Sequence, residues 1–423
     1  MSIARKVFFV AASFALPIIV LGYLVVRNIN EHISFAQQEL AGTAYQRPLH
    51  ALLRDIPEHQ RLSYPGADDP KSIAALKDSI HKELSELRSA DLRYGALLQF
   101  TGEGLAKRGR QLATVGNLQR DWERLESRPE PDSAGKTSPG PDARYDRLIN
   151  IIQTMITHVN DTSNLILDPE LDTYHLITDT SVLLPKTQER LARVLALGRG
   201  ILAHKRIPDT ERLALATQTA FLEQVDRDQI KSHLDTALSE NKNQFHGVLD
   251  SFQQDVPIAY AEYAAATDDF IALNRRLAGT ADPALRIDDY VAAGVKAREA
   301  SFRLGQAAAA ELEKLIQARI DYYVRREVTA LLLSGLALLL AGLLAYRIAT
   351  SLIRPLDKLS RLLTPGADLL DGSVQKLTAF TRKETQDLTT MRIICDELDA
   401  HAVNMRKTAQ ELAAIVDGRE PQV

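Results

Sequence analysis

Asp161, Asp168, Asp172, His175 and Asp179 recur at seven- or near-seven-residue spacing. On helices that spacing keeps them near one face, beside an apolar seam. Such a stripe could receive a cation or a basic small molecule, with the hydroxyl of Tyr174 next to it. The plainer reading is a solvated charge stripe, and one histidine is weak evidence for a metal site. A second group, Arg47, Arg54, His59 and Arg61, is basic, and Arg190 with Arg193 makes a further pair about one turn apart. Guanidinium forks match carboxylates bidentately, so either group could hold an acidic ligand or form exposed ion pairs.

The acidic stripe runs through a break, "SNLILDPELDTYHL" at 163–176. A proline inside a helix removes a hydrogen bond and clashes with the preceding turn, at about 3 kcal/mol. One reading makes Asp168 a helix N-cap and Pro169 the first helical residue, with Glu170 and Asp172 facing the positive helix start. That reading requires no ligand. The other places a binding site at the interruption.

What positions these residues follows from composition. The chain has 423 residues, 25% charged and 45% hydrophobic, with 6% aromatics and one Trp. Long helices use residues in this way, and the expected fold class is all-α. The net charge of −4 argues against a nucleic-acid partner, which calls for a strongly basic face. The single cysteine, Cys395, excludes an internal disulfide framework and a Cys-rich metal centre.

Two runs, "VFFVAASFALPIIVLGYLVV" (7–26) and "VTALLLSGLALLLAGLLAY" (328–346), carry no charge. Each has about the 20 apolar residues a bilayer-spanning helix needs. A cleaved signal peptide is the competing reading of the first run, but its apolar region is long and no small-x-small site follows cleanly. Arg5 and Lys6 precede it and Arg27 alone follows closely, which puts residues 1–6 in the cytoplasm. Residues 27–327 are then extracytoplasmic, and the tail after 346 is cytoplasmic.

Between the runs, apolar periodicity and its punctuation predict helices over 28–57, 71–127, 142–167, 169–206, 209–254, 257–279 and 283–326, kinked at Pro48 and Pro185. The expected breaks include "YPGADDP" (64–70), a long loop at 127–142 and "DVP" at 255–257. Leu148, Ile152, Met155, Val159, Thr162 and Ile166 step by four and three, and Phe302, Gly305, Ala309, Leu312, Ile316, Ile320 and Tyr323 nearly do. Such seams bury themselves against near-parallel helices. The second continues without a break signal into the second apolar run, which predicts a rod between bundle and membrane.

The tail begins "RIATSLIRPLDKLSRLL" and has a second seam at Leu388, Met391, Cys395, Leu398, Ala402 and Met405. With "RPL", "LLDGSV" (369–374) and "ETQDL" (384–388), residues 347–405 resemble a HAMP linker, the dimeric parallel four-helix coil of bacterial transmembrane receptors. Thr385 and Gln386 depart from that family's pattern, and Pro365-Gly366 comes early. "NLILDPELDTYHL" is similar to a stretch in the helical sensory domains of chemoreceptors and sensor kinases, and "RPLHALLRDIPEHQR" (47–61) to one in their first outer helix. The resemblance implies a homodimer in the bacterial inner membrane, with a periplasmic bundle for an organic acid or other small molecule. It also implies relay roles for Pro355, Glu384 and Leu388.

No phosphate-cradling loop, zincin motif or nucleophile elbow occurs, and no cofactor motif is present. Residues 406–423 leave no room for a kinase core or a chemoreceptor hairpin. The expectation is a non-enzymatic sensor whose output is supplied by a cytoplasmic partner. Two other readings stay open: a membrane-anchored helical spacer, and the receptor half of a truncated kinase or chemoreceptor.

Overall fold

The computed structural model describes residues 3–63, 70–127, 141–204, 209–243, 247–279, 285–348, 350–351, 354–381 and 389–417. The fold is all-α, with no strand among the described residues. In chain order the helices are α1 (Ile3–Leu62), α2 (Pro70–Tyr94), α3 (Gly102–Ala106), α4 (Val115–Ser127), α5 (Pro141–Thr162), α6 (Leu171–Thr178) and α7 (Leu184–His204). They continue as α8 (Asp209–Phe221), α9 (Asp228–Asn241), α10 (Asp250–Gly279), α11 (Ile287–Ile348), α12 (Arg354–Thr381) and α13 (Thr389–Asp417). The chain divides into two compact units, Glu31–Tyr323 and the combination of Met1–Asn30 with Val324–Val423. Helices α1 and α11 contribute to both, each without a break.

In the Glu31–Tyr323 unit the seams do what their spacing predicts. Leu148, Ile152, Met155, Val159 and Thr162 of α5 are buried, as are Tyr45, Leu49, Leu52 and Ile56 of α1. Ile166, read as the end of the α5 seam, is 52% exposed because α5 has already stopped at Thr162. On α11 the buried stripe is Ala297, Ser301, Leu304, Ala308, Leu312, Leu315 and Arg319. It lies partly beside the expected seam, since Gly305 and Ala309 are only half-buried. The close approach of α11 to α7 requires glycine: a Cβ at Gly198 would meet the Tyr290 hydroxyl at 1.9 Å, and Tyr290 donates to the Val194 carbonyl at 3.0 Å.

Two of the expected helices are divided differently. The predicted 71–127 helix is three pieces, because Gln99 (φ 55°) and Gly109 (φ 66°) leave the helical region. Phe100 then stacks on Tyr45 and meets His158 edge-on, which fixes the turn between α1 and α5. Thr101 and Thr114 cap the new starts, accepting from Gly104 and Asn117 backbone N–H groups. The break expected at 255–257 falls earlier instead. Gly247 turns at φ 102°, the Asn241 side chain accepts from Leu249 N–H, and Pro257 lies inside α10. Pro185 sits just after a wide π turn (Asp179–Leu183), in which Leu184 N–H reaches back to the Asp179 carbonyl. Helix α1 is continuous through Pro48.

In the other unit, α11 is long and apolar enough to cross a membrane, and its most apolar window is wholly unburied. It is the one such helix among the described residues. The first apolar run is helical within α1, but the side chains of residues 7–11 and 14 are outside the description; Leu16, Leu21 and Tyr23 are more than 60% exposed. A Cβ at Gly22 would lie 3.2 Å from the Ser334 hydroxyl, so the two apolar runs meet there. The extended connector expected at 369–374 is absent, because α12 is helical through Pro365 and "LLDGSV" to Thr381. The seven residues to α13 reach less than about 30 Å, whereas α12 is about 42 Å long. Helix α13 therefore turns back along α12, Asp371 pairs with Arg406, and Ala367, Val374, Ala402 and Ala409 are buried.

Candidate functional site

The Asp-Pro-Glu break resolves into neither of its two readings. Helix α5 ends where Asn164 adopts a left-handed conformation (φ 67°). Glu170, not Asp168, occupies the cap position of α6, and its side chain makes no capping bond. Asp168 instead turns inward, 7% exposed, and accepts from the Glu170 N–H at 2.8 Å. Its carboxylate receives Arg319 of α11 bidentately, Nη1 to Oδ1 at 3.2 Å and Nη2 to Oδ2 at 2.8 Å. Glu39 of α1 lies 3.4 Å from the same guanidinium and Glu170 lies 3.6 Å from it. The break thus delivers an acid to a buried cation on α11 and ties three segments together.

One guanidinium cannot balance three buried carboxylates. Glu39 is fully buried and its carboxyl is pushed up to about 9, first by burial and then by the neighbouring Asp168. At neutral pH it is a carboxylic acid. The cluster then holds Arg319 against Asp168 and Glu170, with a neutral Glu39 beside them.

A cavity of about 390 Å³ opens in the same unit, walled by α1, α2, α7 and α11. Arg47 and Arg54 both line it, as two members of the predicted basic group. Arg47 Nη2 donates to both oxygens of Glu313 on α11, at 2.7 and 2.6 Å. Arg54 donates through Nε to Asp55 at 2.6 Å, and the hydroxyl of Ser79 donates to the other Asp55 oxygen. Glu83 and Glu86 face the cavity from α2 and His50 from α1. Burial holds the His50 imidazole at about 4, so it is neutral, and its buried Nε2 has no hydrogen-bond partner among the described residues.

The other predicted positions lie elsewhere. His59 is buried, with Nδ1 2.7 Å from the Tyr145 hydroxyl and its ring edge-on to Trp122. Arg61 bonds Glu58 one turn back at 2.9 Å. The stripe of acids does not form one face. Asp161 pairs with Arg110, Asp172 is buried against Asn241 Nδ2 at 3.3 Å, and Asp179 accepts the His233 ring nitrogen at 2.8 Å. Tyr174 is 39% exposed beside His175. Arg190 bonds Asp226 at 2.7 Å and Gln218 at 3.0 Å under the Phe221 ring, while Arg193 pairs with Glu189 on its own helix. The helix break and the π turn rotate successive segments, which scatters residues that a single helix would align. Pro355 is the second residue of α12 with its side chain outside the description, and Glu384 and Leu388 lie outside the described residues.

Sequence reasoning missed Glu39, Arg319, Arg298, His50, Glu83 and Glu313. A signal existed for the arginines. Arg298 and Arg319 fall on the apolar stripe of α11, where a charge must find partners: Arg298 donates to the Arg54 carbonyl at 2.7 Å and pairs with Glu58 at 3.4 Å. No group of three or more His, Cys, Asp or Glu is placed to hold a metal among the described residues. Comparison with protein families, with characterised proteins and with solved structures finds no match.

Proposed function

We propose that this chain is a sensor anchored in the bacterial inner membrane by two spanning helices, 7–26 and 328–346, with residues 27–327 in the periplasm. The observation that carries the reading is α11. One unbroken helix holds Arg319 in the buried cluster and Glu313 at the cavity, and farther along exposes a run of leucines. A ligand seated in the cavity against the α11 wall therefore acts on the same helix that enters the bilayer. Discrete repacking of such a helix is a common switching device. The α12–α13 pair, which resembles a HAMP linker in sequence but folds back antiparallel where that family's helices run parallel, passes the change to a cytoplasmic partner, and the chain performs no chemistry itself. A homodimer fits the exposed Leu359, Leu363, Leu398 and Met405, which leave apolar surface uncovered on the pair.

Topology labelling tests the reading. In a C395S background, a membrane-impermeant maleimide should label K107C on intact cells and D396C only after permeabilisation. Equal labelling of both, or the reverse order, removes the proposal. Mild oxidation of native membranes should link Cys395 across the dimer, and a chain that stays monomeric on a non-reducing gel counts against pairing through α13.

A further inference from the structure

The cavity's charges are unequally committed, and that inequality selects a ligand. Its two guanidiniums are occupied, Arg47 by both oxygens of Glu313 and Arg54 by Asp55. An acid entering the cavity would meet guanidiniums whose charge Glu313 and Asp55 already offset, and would stand beside those carboxylates. Glu83 and Glu86 are in the opposite position. They stand one turn apart on α2, both at the cavity wall. Glu86 has only the distant and exposed Lys82 at 3.6 Å, and no hydrogen bond or ion pair is made by Glu83 among the described residues. The Glu83 carboxyl is raised by burial and then by Glu86, a rise that Lys82 and Arg54 oppose without cancelling. The third uncommitted group is the buried Nε2 of His50, on a neutral ring able to accept an N–H. Leu184, Phe302 and Leu312 line the rest, where hydrocarbon is the fitting neighbour.

We infer that the cavity takes a small organic ammonium compound, with its N–H groups directed to Glu83, Glu86 and His50 and its carbon chain against Phe302 and Leu312. This rests on the sensor reading for its consequence but not for its chemistry. It replaces the acidic ligand that the basic residues alone suggested.

Three four-carbon probes separate the possibilities on the full-length protein in lipid nanodiscs: butane-1,4-diamine, 4-aminobutanoate and butanedioate. Calorimetry should show the diamine bound most tightly and the diacid most weakly. Replacing both acids (E83Q with E86Q) should weaken the diamine about tenfold or more, the size expected when charged hydrogen-bond acceptors are neutralised. The melting temperature without ligand should stay unchanged. H50L should weaken it less, and R47Q should not weaken it. Tighter binding of butanedioate, lost in R47Q, would overturn the inference while leaving a ligand-binding sensor in place. Diamine binding indifferent to E83Q/E86Q, or absent altogether, would overturn it as well, and the topology labelling would then decide the sensor reading separately.

Discussion

The two halves of α11 use similar residues in opposite surroundings. From Tyr290 to Ile320 the helix buries one stripe, and among its buried members are Arg298, Glu311 and Arg319. From 328 to 346 there is no charge, yet Leu332, Leu339 and Leu344 are each more than 60% exposed. The first half tolerates buried charge because each guanidinium meets acids or backbone carbonyls from α1 and the Asp-Pro-Glu break. The second half is long and apolar enough to cross a membrane, where exposed leucine meets hydrocarbon. A residue type has no fixed meaning along one helix; what lies opposite it decides.

The comparison breaks most sharply at Arg319. Replacing it with Met leaves Asp168 and Glu170 buried without their cation, and denaturant unfolding should show a loss of about 3–5 kcal/mol. Adding D168N to R319M should recover part of that loss, whereas full additivity would mean the two residues do not act together. Next in size is one substitution made in both halves. Leu315 is fully buried, so L315A should cost about 2–5 kcal/mol. L332A should change the stability of the folded protein in detergent by no more than about 0.5 kcal/mol. Similar losses at both positions would mean that the second half packs against protein.

A smaller effect concerns protons. The Glu39 carboxyl is raised in the folded state, from 4.5 to about 9. Its contribution is therefore complete below the unfolded value and is lost as pH rises through that window, at up to about 1.4 kcal/mol per pH unit. Unfolding measured from pH 5 to 9 should show E39Q flattening this decline, and a wild-type slope unchanged in E39Q would show that Glu39 is ionised throughout. The smallest effect is at the cavity rim. The Arg47 side chain is 68% exposed, so R47Q should cost less than about 1 kcal/mol even though its Nη2 reaches both Glu313 oxygens.

Much of the fold was legible because its signals are local. The four-and-three spacing at Leu148 to Thr162 reports a buried face wherever that face ends up, and a charge-free run reports a helix apolar enough to cross a membrane. The pieces misjudged were those whose ends are set by small local events against distant partners. The turn at Gln99 is held by Phe100 between Tyr45 and His158, and the start of α10 by the Asn241 side chain. The candidate site was half visible. Arg47 and Arg54 do line the cavity, but nothing near them in sequence shows that Glu313 and Asp55 already engage them.

By itself the sequence determined the helices, the two apolar runs and the interruption at Asp168–Pro169, since periodicity, hydropathy and proline act within a few residues. Only the tertiary structure decided what the interruption is for. Asp168 and Arg319 are 151 residues apart, and their pairing depends on α1, the break and α11 converging where water is excluded. Burial then raises the cost of leaving either charge alone and makes the partner obligatory.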